Sequence, residues 1–518
     1  MSPQFSALDW SVVVVYMSVV LVMGAWISRR QSDTRYFFQG GRSVPAWAVA
    51  CSVLATATSA ATFIGVPQIA FEGDLTYLIT YLGSIIGAFI IALLFVPALY
   101  NAGTITIYGY LGQRYGTGAK SAASVMFLLG RLLSSGARLY MAGIAFAMML
   151  SGNTTTGELV FAVVIMGIVG TIYTVFGGIR AVIWTDVLQI IIFISAALMA
   201  LGYLWYLIPA SGEEIYGALG DANGINKLRA VDYGFNVSSP FTLWSGVFAM
   251  TIVCVSTHGV DQDMLQRVMT AKSPLHGGFA LVSSILAAVP LVFLFLVIGL
   301  LLFIYYQRPD LMGAAAPLDV IEDTRKVFPQ FVLHHLPSGL RGLLMAGLFA
   351  AAMSTFDSAI TAMASCLIAD IYAPWRAWRN SRIPKESGDE VLPELRHSRM
   401  AVGLMGLLLT GFAVGAIYMQ ERGGQTLIDF ALGIMAFALA PLLGVFCAAL
   451  FTRRGNVISV YVSLGFGALA VLMLQPYMLP EIMGFRLGWT WVWVFVSPIC
   501  FILCILGKPD AFRERNPQ

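Results

Sequence analysis

The feature that most constrains this chain is an apolar run of about 20 residues that recurs from one end of the sequence to the other. Each run is long enough to cross the roughly 30 Å hydrocarbon core of a bilayer as a helix. Inside lipid, a spanning segment must satisfy its own backbone hydrogen bonds, and an α-helix does so within one segment. Charged residues make up only 11% of the chain, whereas a soluble domain carries about a quarter. The sequence therefore predicts an all-α integral membrane protein.

The apolar runs divide into thirteen predicted spans. A leading helix at about 8–28 is long enough to remain in the membrane, so we expect no cleavable signal peptide. Two closing helices are predicted at about 457–477 and 487–506. The ten spans between them, numbered 1 to 10, are predicted at about 46–70, 75–100, 120–151, 156–176, 182–208, 241–264, 277–306, 339–367, 400–419 and 427–451.

The distribution of basic residues predicts how these spans are oriented. With the N-terminus outside, the inward loops hold about 20 Lys and Arg, against about 8 in the outward loops. Cytoplasmic loops of membrane proteins carry such an excess. We therefore expect the N-terminus outside and the C-terminus inside, in a plasma membrane and specifically the inner membrane of a bacterium.

Other classes of function are disfavoured by what the sequence contains. The net charge of +3 is too small to indicate nucleic-acid binding. The six cysteines fall inside apolar segments without metal-ligand spacing, which is typical of small buried residues. The sequence shows no zinc-binding HExxH, no GxSxG and no phosphate-binding glycine loop. We therefore expect a protein that is not an enzyme.

Spans 1 and 6 are interrupted by small and polar residues. Span 1 reads "SVLATATSAATFIGVPQIAF", with a hydroxyl-rich centre followed by Gly65 and Pro67. Span 6 reads "AMTIVCVSTHGVDQDMLQR", with polar residues and Gly259 before an acidic stretch. Interrupted helices in corresponding positions of two halves are typical of inverted-repeat transporters, whose solute binds where the breaks meet. We therefore predict a solute site between spans 1 and 6.

Span 8 carries a polar stripe in the segment "AAMSTFDSAI", Ala351–Ile360. Ser354, Ser358, Thr361 and Ser365 recur at helical spacing and so share one face. Hydroxyls alone often bond back to their own helix and allow close packing. An aspartate such as Asp357, however, costs roughly 2.5–3.5 kcal/mol at the centre of a span and indicates a functional site.

The carboxylates of spans 5 and 8 offer a way to couple a cation to transport. Asp186 lies near the predicted inner end of span 5. If it approaches Asp357, the two should not both be ionised without a cation or proton between them. Structural alternatives are an ion pair of Asp357 with Arg131 or Arg138, and an interfacial helix-terminal role for Asp186.

Four stretches give the chain a resemblance to the sodium/solute symporter family: "RYFFQGGRSVPAWA", "GGIRAVIWTDVLQ", "DQDMLQR" and "AAAMSTFDS". That family includes bacterial proline, pantothenate and sialic acid symporters and the sodium/glucose cotransporters. The likeness covers about 8–451 and implies a LeuT-like fold with five-plus-five inverted repeats. It also implies alternating access driven by Na⁺, with small-molecule solute, sodium ions and lipid as partners. The oligomeric state is not specified, and the monomer is the functional unit by analogy.

The resemblance implies the following organisation. Residues 1–28 form a leading helix, 46–208 the first repeat and 241–451 the second. Two C-terminal helices follow at 457–506, and 507–518 form a cytoplasmic tail.

The resemblance also implies the residues of the sodium sites. Backbone carbonyls of spans 1 and 8 and two hydroxyls of span 8 form a shared sodium site in the family. Carried over, these are Ala55, Thr58, Ala351, Ser354 and Thr355. A second sodium or proton site maps to Asp186 with Ser354, Asp357 and Ser358. Relatives with that second site carry a hydroxyl residue where this chain has Asp357.

The solute site implied by the resemblance faces the break of span 1 and the inner faces of spans 2, 3, 6 and 10. An organic anion is favoured, for example a sialic acid, a carboxylate or an amino acid, although a structural role is an equal alternative for the span 3 arginines. The candidate residues are Ser59, Thr62, Phe63, Tyr77, Tyr81, Ser134, Ser135, Arg138, His258 and Phe437.

Sodium-coupled symport is therefore the leading hypothesis. A proton-coupled carrier of the same fold is one alternative, with Asp357 or Asp186 as the titrating group. A membrane sensor is another, because this fold is sometimes joined to kinase modules. The roughly dozen residues after Gly507 lead us to expect no fused output domain.

Overall fold

The computed structural model describes residues 5–28, 33–152, 154–221, 224, 226–317, 321, 323–379, 392–422, 427–475, 478, 484 and 487–509. Among these residues, regular structure is helical throughout, and extended segments meet only in an isolated bridge between Val44 and Ala271. Six of the described helices are long and apolar enough to cross a membrane, and a bent pair is a candidate for a seventh span. Four shorter apolar helices accompany them. The all-helical membrane class predicted from the sequence is confirmed.

Within the described residues, the first half of the chain contains ten α-helices. The chain also has a 3₁₀ turn at Thr76–Ile79 before α5 and a π-turn at Ile91–Phe95 after it. The helices are α1 Ala7–Ser28, α2 Thr34–Gln39, α3 Ala46–Ala57, α4 Ala60–Glu72, α5 Thr80–Ile90, α6 Val96–Asn101, α7 Tyr108–Tyr115, α8 Thr117–Ser151, α9 Thr156–Leu207 and α10 Gly212–Gly220.

The described part of the second half contains eleven more. A π-turn at Ser245–Ala249 precedes α11, and another at Leu367–Tyr372 joins α16 to α17. The helices are α11 Met250–Gly259, α12 Gln262–Val268, α13 Pro274–Gln307, α14 Pro309–Met312, α15 Val327–His335, α16 Leu340–Cys366, α17 Ala373–Arg379, α18 Leu395–Arg422, α19 Leu427–Phe451, α20 Val457–Met473 and α21 Trp489–Ile505.

Span 1 is broken, as the sequence indicated, but at another point. Helix α3 ends at Ala57, and Thr58 has extended torsion angles before α4 begins. The two halves are bent by 61°. Pro67, which we associated with the break, instead lies inside α4. Its carbonyl packs against Gly299 of α13, where any side chain would collide with it. Because Gly299 leaves room for this carbonyl, α13 packs closely against α4, and α4 continues past the proline.

Span 6 breaks where its polar residues predicted. Helix α11 ends at Gly259, and Val260 leaves the helical region with φ −130° and ψ 11°. Asp261 then caps α12 by accepting a 2.9 Å hydrogen bond from the Asp263 backbone N–H. A carboxylate at this position satisfies one of the free N–H groups of the new helix.

Spans 4 and 5 form the continuous segment α9, with a sharp bend between them. The bend is at Gly178, whose φ of 58° lies in a region that favours glycine. The separate spans predicted at 156–176 and 182–208 correspond to the two sides of this bend. Asp186 lies two helical turns beyond it and is 0% exposed.

The C-terminal end of α4 is held by a lysine from the loop after α10. Lys227 Nζ donates hydrogen bonds to the carbonyls of Ala70, Phe71 and Gly73, at 3.3, 2.8 and 2.9 Å. Burial lowers the pKa of Lys227 to about 8. A cation at a helix C-terminus satisfies carbonyls that have no partner within the helix. This contact positions the second half of span 1.

Helix α16 is the centre of the described structure. Every residue from Leu344 to Cys366 is buried, so this span contacts protein on all sides. Side chains on peripheral helices are instead exposed, including Leu93 at 71% and Leu407 at 72%, as expected for a surface that faces lipid. The polar stripe of α16 is therefore enclosed by other helices.

Candidate functional site

Asp186 connects three spans at the centre of the protein. Its Oδ2 atom accepts a 2.5 Å hydrogen bond from Ser52 Oγ of α3, and its Oδ1 atom accepts one of 2.5 Å from Ser354 Oγ of α16. Spans 1, 5 and 8 therefore meet at one buried carboxylate. Asp186 is 0% exposed, so its partners are protein side chains.

Arg267 of α12 lies against the same carboxylate. Its Nε atom donates to Ser52 Oγ at 2.9 Å and lies 3.5 Å from Asp186 Oδ2. A second guanidinium nitrogen, Nη2, donates to Ser358 Oγ. The third, Nη1, donates to Asp263 through its carbonyl oxygen at 2.7 Å and Oδ1 at 2.8 Å. The second half of span 6, helix α12, thus joins spans 1, 5 and 8.

Asp357 occupies the neighbouring position on α16. Its Oδ2 atom accepts a 2.5 Å hydrogen bond from the Tyr173 hydroxyl of span 4, and Ser358 Oγ donates to its Oδ1 at 3.3 Å. Among the described residues, no arginine or lysine pairs with this carboxylate. The structural alternative of a pair with Arg131 or Arg138 is therefore not observed.

Arg131 instead binds the acids that follow the span 6 break. Its Nη2 atom lies 2.5 Å from Asp261 Oδ2 and 3.0 Å from Asp263 Oδ2. All three side chains are almost completely buried. Because Asp263 also binds Arg267, this ion pair is continuous with the carboxylates of spans 5 and 8.

Acidic side chains outnumber basic ones in the described part of this buried network. It contains four carboxylates and two guanidinium groups, Arg131 and Arg267. Uncompensated negative charge is strongly disfavoured in a low-dielectric interior. The carboxylate and hydroxyl oxygens here are the donor types that bind hard cations. The arrangement therefore fits a site for Na⁺ or for a proton.

The residues of the predicted first sodium site lie on spans 1 and 8, on the two sides of the contact between these spans. Thr58 directly follows α3, and its hydroxyl donates to Leu54 O at 2.8 Å and to Ala55 O at 3.3 Å. On α16, the Thr355 hydroxyl donates to Ala351 O at 3.1 Å. Spans 1 and 8 also meet directly, since Thr56 Oγ1 and Ser358 Oγ are 3.2 Å apart.

The predicted solute residues fall into several environments. Ser59 and Thr62 lie at the break of span 1, where the Ser59 backbone N–H donates to Thr62 Oγ1 at 3.3 Å. The rings of Tyr77 and Tyr81 lie edge to face with centroids 6.4 Å apart.

Two aromatic candidates lie away from these residues. The Phe63 ring is 1% exposed and packs among Phe193, Phe295 and Phe328. Phe437 lines a groove between α8, α19 and α20, together with Tyr461.

The candidates on spans 3 and 6 include polar atoms without partners. Among the described residues, Ser135 Oγ and His258 Nε2 are buried and make no hydrogen bond. Ser134 Oγ makes a long hydrogen bond of 3.5 Å to Arg131 O. Arg138 donates to the sulfur of Met435 on span 10 at 3.2 Å, and no carboxylate pairs with it in the described part of the chain. These groups offer donors that a bound solute can use.

The sequence interpretation missed several residues of the network. Ser52 and Thr56 stand at i and i+4 on span 1, and Asp263 and Arg267 have the same spacing within "DQDMLQR". That spacing places each pair on one helix face. Tyr173 had no local signal, because its partner Asp357 is 184 residues away in the chain.

Comparisons with known proteins confirm the resemblance seen in the sequence. The profile of the sodium:solute symporter family matches residues 37–464. The sodium/sialic acid symporter SiaT of Proteus mirabilis (strain HI4320) is 26% identical over 474 residues, covering 90% of this chain and 89% of that protein. The human sodium/iodide cotransporter is 28% identical over 482 residues, and the match covers 90% of this chain and 69% of the cotransporter.

A solved structure shares the fold. The substrate-bound, outward-open state of a Na⁺-coupled sialic acid symporter superposes with a TM-score of 0.80 at 22% identity. The match covers 97% of this chain and 98% of that one.

Proposed function

This chain belongs to the sodium:solute symporter family, and from this premise we propose which residues bind sodium and which class of solute is carried. The protein is a multi-pass membrane protein that performs sodium-coupled symport of a small solute. The observation that carries the site assignment is the meeting of Ser52, Asp186 and Ser354 at one buried, negatively charged network.

The proposed topology has thirteen spans, with the N-terminus outside and the C-terminus inside. The bend at Gly178 supports counting α9 as two spans, and the bend at Thr58 supports counting α3 and α4 as one. Repeats at 46–208 and 241–451 then place the breaks of spans 1 and 6 in corresponding positions. The membrane is proposed to be the inner membrane of a bacterium, with the monomer as the functional unit.

Two adjoining sodium sites are proposed. The first uses carbonyl oxygens of Ala55, Thr58 and Ala351 with the hydroxyls of Ser354 and Thr355. The second uses Asp186, Asp357 and Ser358, and it shares Ser354 with the first. The hydrogen bonds of Ser354 to Asp186 and of Ser358 to Asp357 support this grouping.

Sodium at these positions would connect broken span 1 to spans 5 and 8. A cation bound there stabilises the conformer in which the three spans meet. If solute binds the same conformer, sodium and solute increase each other's affinity by the same factor. Release of sodium into a low-sodium cytoplasm would then free the inner half of span 1.

The proposed solute is a small organic anion. Arg138 supports this, because it is a half-buried cation whose described polar contact is a thioether. Sialic acid and iodide, which appear in the names of two relatives, are also anions. Ser135 and His258 add unpartnered groups that can hydrogen-bond a carboxylate or hydroxyl.

Replacing Arg138 with Gln is expected to raise the solute concentration for half-maximal uptake by about tenfold or more, because a charge-assisted hydrogen bond to the anion is lost. Arg138→Lys should restore part of the affinity, since it keeps the charge. Sodium binding in the absence of solute should be unchanged. Equal solute affinity in all three proteins would show that Arg138 is structural.

The function is tested in proteoliposomes with an inward sodium gradient. A thermal-shift screen of the purified protein across sialic acids, other carboxylates, amino acids and sugars first identifies a solute. Uptake of that solute should require the sodium gradient. Uptake that is equally fast in choline buffer would contradict sodium coupling.

Coupling to protons is a second candidate, favoured by the lack of a basic partner for Asp357 among the described residues. If Asp357 serves the second sodium site, Asp357→Ala should reduce the steepness of the sodium dependence, because a ligand is lost. A pH gradient in sodium-free buffer should then drive no uptake. Uptake under that gradient by the native protein, and not by Asp357→Ala, would favour a proton at this position.

A further inference from the structure

We propose that Arg267 is a built-in competitor of sodium, which occupies the second site when that site holds no cation. This inference rests on the proposed second sodium site at Asp186, Asp357 and Ser358. Arg267 is the last residue of the stretch "DQDMLQR", to which the sequence analysis gave no role in ion binding. The proposal also predicts the direction in which removing Arg267 changes the sodium affinity.

The guanidinium group uses the oxygens that sodium would need. Arg267 donates to Ser358 Oγ and to Ser52 Oγ, and its Nε lies 3.5 Å from Asp186 Oδ2. These contacts place a positive charge against the site's carboxylate. Sodium bound to Asp186 and Ser358 would be the immediate neighbour of this charge, and the two cations would repel each other.

Arg267 has a second set of partners to which it can move. Its Nη1 atom already binds both the carbonyl oxygen and the Oδ1 atom of Asp263, one helical turn earlier in α12. A guanidinium group that leaves Ser52 and Ser358 can therefore stay paired with Asp263. The displaced arginine does not become an unpaired buried charge, which would be costly.

The displacement would reach the ion pair at the span 6 break. Asp263 contacts Arg131 through Oδ2 at 3.0 Å and Arg267 through Oδ1 at 2.8 Å. A closer pairing of Arg267 with Asp263 competes with Arg131 for that carboxylate. Sodium in the second site would thus alter the contact between span 3 and the inner half of span 6. Arg267 is a positioning residue in this scheme, because it acts through Asp263.

The test is a sodium titration of the purified, solute-free protein. The melting temperature is measured at each sodium concentration, and choline replaces sodium to keep the ionic strength constant. Arg267→Gln is expected to lower the half-saturating sodium concentration by about tenfold, because the competing charge is gone. An arginine that merely holds the site together predicts the opposite direction. An unchanged or higher half-saturating concentration in folded Arg267→Gln would overturn the proposal.

Three more variants keep the outcomes distinct. If Arg267→Gln does not fold, Arg267→Lys serves as the test variant. A lysine ammonium group cannot hydrogen-bond Ser52 and Ser358 at the same time as the planar guanidinium group does. It should lower the half-saturating concentration about threefold, and no decrease would overturn the competition. Asp186→Asn tests the site itself: sodium binding that is unaffected by this change would show that the second site is wrong. Arg341→Gln, the same change at the outer end of α16, should leave sodium affinity as in the native protein.

Discussion

Replacing Asp186 with Asn is expected to abolish sodium-stimulated uptake while leaving the protein folded. The amide keeps the size of the side chain but removes the charge that accepts hydrogen bonds from Ser52 and Ser354. Hydrogen bonds to charged groups contribute about 1.5–3 kcal/mol each. Losing them together with the sodium ligand should weaken sodium binding by about a hundredfold or more. Radioactive sodium binding and solute uptake, measured on the same preparation, check this result.

Asp74→Asn provides the matched control for that experiment. Asp74 follows the C-terminal end of α4 and pairs with Arg229 at 2.8 Å, away from the proposed sodium network. The same change there should leave sodium stimulation intact. Ser354→Ala and Thr355→Ala should also abolish stimulation while expression persists, because each removes a hydroxyl of the first site. Sodium stimulation that survives in Asp186→Asn would contradict the proposed site.

Replacing Arg131 with Met is expected to destabilise the protein more than any other single change at the span 6 break. Asp261 and Asp263 would lose the guanidinium group that lies 2.5 and 3.0 Å from them. Breaking a buried ion pair by removing one partner costs about 3–5 kcal/mol. The melting temperature of the purified protein and the yield of monodisperse protein should both fall sharply.

A second substitution tests the cause of that loss. Adding Asp261→Asn to Arg131→Met should recover much of the stability, because Asp263 keeps Arg267 as its partner. The combined variant is then more stable than the sum of the single effects predicts. Simple additivity would show that the loss comes from packing and not from uncompensated charge.

Features with a strong local pattern could be recognised in the sequence. The hydroxyl stripe of span 8 repeats at helical spacing. The break of span 6 was predicted because polar residues and Gly259 precede an acidic stretch, and α11 ends at that glycine. Both patterns depend on neighbours within one or two helical turns, which a sequence displays directly. Ser354 and Asp186 were placed in one site by the family resemblance, and in the structure Ser354 Oγ lies 2.5 Å from Asp186 Oδ1.

Contacts between distant spans could not be predicted in the same way. For Asp357, a pair with Arg131 or Arg138 was the structural alternative to a cation site, yet this carboxylate binds Tyr173, and Arg131 binds the acids of span 6. Phe63 was assigned to the solute site by the family resemblance, and its ring packs with three other phenylalanines. In both cases the helix was identified correctly, and the rotation of that helix against its neighbours decided the partner.

The amino-acid sequence by itself determined the membrane class, the positions of the apolar spans and the two places where small and polar residues interrupt them. These properties follow from lipid, which admits long apolar helices and tolerates breaks only where protein surrounds them. Only the tertiary structure decided which charges share a buried network. Arg267 reaches Ser52 and Ser358, which lie 215 and 91 residues away in the chain. That contact exists because three spans pack around α12, and no local pattern records how helices pack.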